Sequence, residues 1–457
     1  MKNITRITAL ALSVLTLASA FSCGKDRDKD KSLNESSVTE EQSAKTVIDI
    51  AWCTYEEPAV SNRISAFSKN NESYTINLTN YWDVAWEEYK DESGDDPYFY
   101  EKKAREMLHM DMISGKVPDI IIGETDVMLS FLNGDYFTDM YPLMDAGTVP
   151  RDAFLPNFLK GFEIEGQLPL LAYGVTLETA VALSSDIGKE YEHWTLDEMK
   201  EYCENSMPDD KSLLDYRDSI YDIPDYVLYA ITRECVDYST AECDFHGSFI
   251  DALEFAKSIN IGENEHIDGS QDFVIKHLMI KGISSIFSQE IVYSGLGGKD
   301  FTFVGYPSSD GCGAVVGAMS NPVFGILENS DCKEGAWEFL SSLFEESFQV
   351  NLTLNFSGLP MIESAVDKAM NKDQWSSGSI NAILGTDEEG NELQIDENSK
   401  KLFEEYIRNI EIRPYDDKTV DKIVREEYMK AVNGECTAQE CADTIENRIR
   451  LYLSERS

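Results

Sequence analysis

Apolar residues recur along this chain in two rhythms. Val47 to Trp52 is a short apolar-rich run that predicts a strand, and Val60, Ile64 and Phe67 then repeat at helical spacing. Tyr74 to Leu78 alternates as a strand does. Phe99 to Ile113 predicts a helix with Ala104, Met107, Leu108 and Met112 on one side. Pro118-Asp119 opens the unbroken run Ile120-Ile121-Ile122-Gly123, the pattern of a buried parallel strand. Strand and helix alternating over short links is the βαβ arrangement, which predicts an α/β fold with a parallel sheet. No repeat of fixed period is visible, which argues against a solenoid or propeller.

Helix starts are marked by capping residues. Thr195-Leu-Asp-Glu198 reads as a capping box, with Trp194 and Met199 at the flanking staple positions. Asp331-Cys-Lys-Glu334 predicts the start of a helix carrying Ala336, Trp337, Phe339 and Leu340. Thr437-Ala-Gln-Glu440 predicts the last helix, with Cys441, Ile445, Ile449 and Tyr452 on one face. Thr386 to Asn391 predicts an exposed turn. Trp337 and Trp194 read as core residues.

Polar balance narrows the function. The chain has 457 residues, with 84 Asp or Glu against 39 Lys or Arg, a formal charge of -45. Nucleic-acid binding needs a basic stripe, so it is excluded as a partner class. Adhesion to anionic lipid through a polybasic face is excluded likewise. At 42% hydrophobic residues most of the chain should fold, with room for two or three domain-sized units.

The first segment is different. Lys2 and Arg6 precede an apolar run from Ile7 to Phe21, 15 residues long and short of the roughly 20 needed for a membrane-spanning helix. Ala20-Phe21-Ser22 then leads into Cys23-Gly24. This resembles a bacterial lipoprotein signal, with Ala20 where Leu is usual. The resemblance implies a signal peptide at 1–22 and Cys23 as the lipid anchor on the outer face of the cytoplasmic membrane. Cleavage there leaves 37 basic against 84 acidic residues, a charge of -47. Residues 23–46 are polar and predict a flexible tether. Asp26 to Asp30 starts like a calcium loop, but Lys31 and Ser37 stand where Gly and Glu are required.

Several segments together resemble the family 1 extracellular solute-binding proteins, the capture subunits of bacterial ABC importers. They are KVPDIIIG (Lys116–Gly123), DMYPLMD (Asp139–Asp145), GQLPLLAYGVTLETAVALSSDIG (Gly166–Gly188) and HWTLDEM (His193–Met199). VGYPSSDG (Val304–Gly311), GAWEFLSSLF (Gly335–Phe344), GLPMI (Gly358–Ile362) and TAQECADTIENRIRLYLSE (Thr437–Glu455) follow in the family's order. Gln167 departs from the aromatic often found there. The resemblance implies a two-lobe periplasmic-binding-protein-like fold with crossing hinge strands and a central ligand cleft. It places lobe 1 at 47–172 plus 319–356 and lobe 2 at 177–312 plus 360–457. The hinge crossings fall near 172–176, 311–320 and 357–361. It further implies an ABC permease partner, a monomeric state and no chemistry on the chain.

In open α/β sheets, ligands sit beyond the carboxyl ends of the strands. That rule selects Thr54-Tyr55-Glu56, Asn80-Tyr81-Trp82 and Glu124-Thr125-Asp126. The resemblance adds Tyr173, Thr176 and Glu178 from the first crossing, Phe356 near the third, and Tyr415-Asp416 as a cleft loop. Trp375 stands in a polar neighbourhood. Tyr81 and Trp82 fit core or cleft equally, since alternate strand residues face opposite ways; Glu124 and Asp126 fit a helix cap as well as a cleft. Aromatic plates beside carboxylates and amides match the apolar face and hydroxyl rim of a sugar ring, so the expected ligand is a carbohydrate. A cationic solute, polyamine or basic peptide, is the alternative, because an acidic cleft steers cations. A secreted glycoside hydrolase is the third reading.

No G-x-S-x-G elbow and no P-loop is present, and Gly295 to Asp300 fails the dinucleotide pattern. No cofactor is expected. Cys436 and Cys441 flank the Thr437 box at staple positions, which fits either a disulfide or apolar contact. Cys235, Cys243 and His246 lack a fourth ligand and any CxxC, so no metal site is expected there.

Overall fold

A computed structural model describes residues 45–55, 57–90, 99–132, 136–214, 223–259, 273–283, 300–311, 314–316, 321–355, 357–371, 397–414 and 417–455. The strands, in chain order, begin with β1 (Thr46–Trp52), β2 (Tyr74–Asn80), β3 (Ile120–Gly123), β4 (Leu171–Ala172) and β5 (Gly174–Val175). Next come β6 (Leu177–Leu183), β7 (Ser212–Leu214), β8 (Val236–Asp237), β9 (Glu242–Cys243) and β10 (Phe273–Ile280). The last are β11 (Phe301–Phe303), β12 (Ala314–Val316), β13 (Val323–Ile326), β14 (Leu359–Pro360) and β15 (Ile412–Arg413).

Two larger sheets result, and the fold is mixed α/β. The first has the order β2-β1-β3-β13-β4. β1 runs parallel to β2 and β3, as the alternating strands and helices predict. β13 is antiparallel to both β3 and β4, so the sheet is mixed rather than parallel throughout. Every residue of β3 is buried, the pattern of a strand covered on both faces. Helix Pro58–Asn70 follows β1, starts with Pro in its first turn and buries Val60 and Ile64. Helix Phe99–Ile113 has the predicted bounds and buries Ala104 and Leu108.

The second sheet has the order β15-β12-β6-β10-β7, with β11 also on β6. β6 is its centre and is antiparallel to β10, β11 and β12. Alternation along β6 divides its side chains between two hydrophobic cores. Leu177 and Val181 join the core around the first sheet, whereas Ala180 and Ala182 join the other.

The chain passes from one sheet to the other between β4 and β6. Between them β5 pairs antiparallel with β14, the two forming a strap of their own. β12 lies in the second sheet and β13 in the first, which makes another passage. Packing at the strap leaves no room for side chains. A Cβ on Gly174 would lie 2.4 Å from Leu352 Cδ2, and one on Gly358 2.5 Å from Asn321 Nδ2. Gly358 also has φ +135, which L side chains rarely adopt. The fully buried Gln349 closes the strap: its Nε2 donates to Tyr173 O and Leu343 O at 2.7 Å each, and its Oε1 accepts from Met361 N at 2.7 Å.

Both predicted capping boxes form, at Thr195 with Glu198 and at Thr437 with Glu440. Trp194, Met199 and Trp337 are buried. The third helix start differs. Its N-cap is Cys332, with no side-chain cap, and the helix is Lys333–Ser341. Just before it, Ser330 Oγ accepts from Cys332 N at 3.0 Å. Among the described residues no helix is long and apolar enough to cross a membrane. Cys23 and the predicted turn at 386–391 lie outside the described residues.

Candidate functional site

β1, β2 and β3 run in one direction, so their carboxyl ends share one edge of the first sheet. Past β1 the chain turns through Thr54 and Tyr55. Past β2 it enters helix Tyr81–Tyr89 at once, with the Asn80 side chain capping it by accepting from Asp83 N. Tyr81 and Trp82 are therefore first-turn helical residues and not strand residues, and that local geometry separates them. Tyr81 is buried in the first core and its hydroxyl donates to Asp111 Oδ2 at 2.9 Å. Trp82 is half-buried and meets Tyr55 edge to face at 5.4 Å and Tyr100 at 5.6 Å between ring centroids. Tyr55 is 66% exposed, so this aromatic wall has a solvent-facing side.

Carboxylates surround the wall. The indole of Trp82 donates to Glu101 Oε1 at 3.0 Å. The other oxygen of Glu101 is buried without a hydrogen-bond partner among the described residues. Burial holds the Glu101 carboxyl above the ordinary carboxylate range and Glu124 adds to the rise, against its own backbone N–H, the Trp82 N–H and Lys418. Thr54 donates to Glu124 Oε1 at 2.7 Å, and Lys418 Nζ stands 3.4 Å from Glu124 Oε2. Tyr173 is buried on the first crossing, its hydroxyl donating to Glu57 Oε2 at 2.9 Å. Burial, then Glu57 and Glu124, push that phenol well up. Asp126 is buried in the first turn of helix Thr125–Leu129.

Lys418 matters because of where it comes from. It opens helix Lys418–Val432, where Asp417 caps the N-terminus and Val420, Ile423, Val424 and Tyr428 pack in the second core. The Glu124–Lys418 pair thus joins the edge of the first sheet to a helix of the second core, with both side chains largely shielded.

Thr176 and Glu178 are buried at the start of the second sheet. Glu178 accepts from the Tyr229 hydroxyl at 3.0 Å and lies 3.7 Å from His277 Nε2. Tyr229 stacks tilted on Tyr306 at 4.8 Å, and Arg233 lies over the Tyr229 ring at 4.1 Å.

The structure brings Tyr55, Trp82, Glu124 and Tyr173 into one neighbourhood. Glu57, Tyr100, Glu101 and Lys418 belong to it too and were missed from sequence. Glu57 adjoins the chosen loop Thr54–Glu56, whereas Tyr100 and Glu101 read simply as helix positions after Phe99. Glu56, Phe356, Trp375, Tyr415 and Asp416 lie outside the described residues. Cys436 and Cys441 are free thiols, Cys441 buried in the second core and Cys436 packed against that core; the bridge the spacing allowed is not made.

No protein-family model matches the chain, and no curated protein matches it in sequence. Solved structures match it in fold. The sugar-binding protein MalE from Xanthomonas citri aligns over 90% of this chain and 98% of its own, with TM-score 0.54 and 14% identity. An extracellular solute-binding protein of family 1 from Alicyclobacillus acidocaldarius covers 90% and 98%, with TM-score 0.51 and 12% identity. A cyclic alpha-maltosyl-1,6-maltose binding protein from Arthrobacter globiformis covers 90% and 100%, at TM-score 0.50 and 15% identity. The chain therefore has the mixed α/β fold of the family 1 extracellular solute-binding proteins.

Proposed function

We propose that this chain is the solute-capturing subunit of an ABC importer and takes a carbohydrate at the edge of its first sheet. The observation that carries the reading is the Tyr55–Trp82–Tyr100 wall, ringed by Glu57, Glu101 and Glu124 and approached by Lys418 from the second core. A ring's C–H face stacks on such a wall, and the carboxylates accept from its hydroxyls. The similar folds named for sugar and maltosyl-sugar binding support the same class. Two lobes, 47–172 plus 319–356 and 177–312 plus 360–457, would close on the guest about crossings near 172–176, 311–320 and 357–361. Cys23 would carry the lipid, and a membrane permease would receive the solute. The chain would perform no chemistry.

A second reading rests on the same edge. Three carboxylates against Lys418 also suit a cationic solute such as a polyamine or basic peptide. Thermal melts against neutral glycans, polyamines and peptides separate the two. A ligand at 100 times its Kd should stabilise by about 2.7 kcal/mol. Stabilisation by a glycan, lost in Trp82→Ala, is the expected result. Stabilisation by polyamines alone would overturn the carbohydrate assignment.

A further inference from the structure

In the second half of the chain, β9 and helix Ser248–Ile259 are joined by a loop that lies against the last helix, Ala438–Ser454. Its His246 is enclosed by carboxylates from both sides. Nδ1 is 3.0 Å from Glu446 Oε2 and 3.3 Å from Asp244 Oδ1, and Nε2 is 3.0 Å from Asp443 Oδ1. We propose that Asp244, His246 and Glu446 form a three-ligand seat for a divalent transition-metal ion of the zinc class, tying the loop to the C-terminal helix.

The first argument is spacing. A tetrahedral ion about 2.0–2.2 Å from nitrogen and oxygen ligands sets neighbouring ligand atoms roughly 3.3–3.6 Å apart. One atom from each of these residues lies within 4.8 Å of the others, and the two distances to Nδ1 are already near that value. Drawing the Asp244 and Glu446 oxygens together within that limit completes three corners, while Asp244 and His246 leave the fourth open to solvent.

Outer partners give the second argument. Asp443 beside Nε2 holds the ring in the tautomer that leaves the Nδ1 lone pair for a metal, and Gln439 Nε2 donates to that same Asp443 oxygen at 3.0 Å. Arg450 takes Glu446 Oε1, and Phe245 N donates to Oε2 at 3.2 Å, so the ligating oxygen is oriented in advance. Glu446 is itself buried, so its carboxylate is held where Arg450 and Phe245 N fix it.

Charge is the third. With the imidazole neutral, as a metal ligand must be, three carboxylates and the Arg450 guanidinium leave two negative charges, which a divalent ion neutralises in place of the imidazole's proton. One imidazole among oxygen ligands selects a zinc-like ion over magnesium or calcium, which prefer oxygen alone.

Isothermal titration calorimetry of the full chain, with zinc chloride and separately magnesium chloride, tests this. A single zinc site absent from both His246→Ala and Asp244→Asn, with no magnesium binding, is the expected result. Zinc binding retained in either variant would place the ion on other residues and overturn the proposal. No zinc binding by the unsubstituted chain would overturn it directly, and urea midpoints of the variants establish that they fold.

Discussion

His193 stacks on Tyr406 with ring centroids 5.6 Å apart and planes 25° from parallel, and its Nδ1 is buried without a partner among the described residues. Burial lowers its pKa, because a charged imidazole there loses water. The direction of linkage follows. Above the ordinary histidine pKa of about 6.5 the ring is neutral folded and unfolded, and contributes no pH dependence. Below it the unfolded chain binds the proton more readily, so stability falls as pH falls. Urea midpoints at pH 7.5 and 5.5 should therefore differ less in His193→Asn than in the unsubstituted chain. Asn suits the site because His193 has φ 55, which Asn tolerates. An unchanged pH slope would mean that other groups carry it. At this scale the sequence was legible where a strand ended: Tyr55, Trp82 and Glu124 follow from the strand-end rule alone. Glu101 and Lys418 were not, since their partners lie 19 and 294 residues away and nothing in the local pattern points to them.

At the scale of single elements, capping chemistry was the most readable signal because it is local. Thr437 Oγ1 accepts from Glu440 N at 3.1 Å, and Glu440 Oε2 accepts from Thr437 N at 2.9 Å, so two otherwise orphaned N–H groups are satisfied together. Thr437→Ala should cost about 1 kcal/mol in urea unfolding, with Leu451→Ala on the exposed side of the same helix near neutral. Equal losses at both positions would show that general helix propensity, not the cap, is being measured. The helix predicted to start at Asp331–Glu334 begins at Lys333 with Cys332 as N-cap and no side-chain cap, while Ser330 Oγ accepts from Cys332 N. Strand pairing is another matter. The run Ile120–Gly123 announced a buried strand, but its neighbour β13 comes from about two hundred residues later and antiparallel, which no local pattern encodes.

Across the whole molecule, the two sheets are held by a strap whose parts come from three distant stretches of chain. Gln349 is its centre: one buried amide satisfies the carbonyls of Tyr173 and Leu343 and the N–H of Met361. Tyr173 and Met361 flank the paired strands β5 and β14, so the amide fixes both runs of the strap to helix Glu346–Leu354. Gln349→Leu keeps the volume roughly but strands three backbone groups away from water. Each unsatisfied group costs about 1–3 kcal/mol, so a total loss of about 3 kcal/mol or more is expected. The Glu124–Lys418 pair makes a different forecast, because it is formed by side chains at a shielded edge and not by backbone within the core. Lys418→Met should leave the urea midpoint within about 1 kcal/mol of the unsubstituted chain, as a salt bridge outside the core contributes little. If the two sheets close on a guest, Lys418→Met should nevertheless weaken binding, since the contact belongs to the joined arrangement that a ligand favours. Measuring both variants by urea unfolding and by ligand-induced melting separates a strap that only holds the fold from an edge that reports its occupancy. A Gln349→Leu loss under about 1 kcal/mol would show that water reaches the strap and that the buried amide is not what keeps the crossings together.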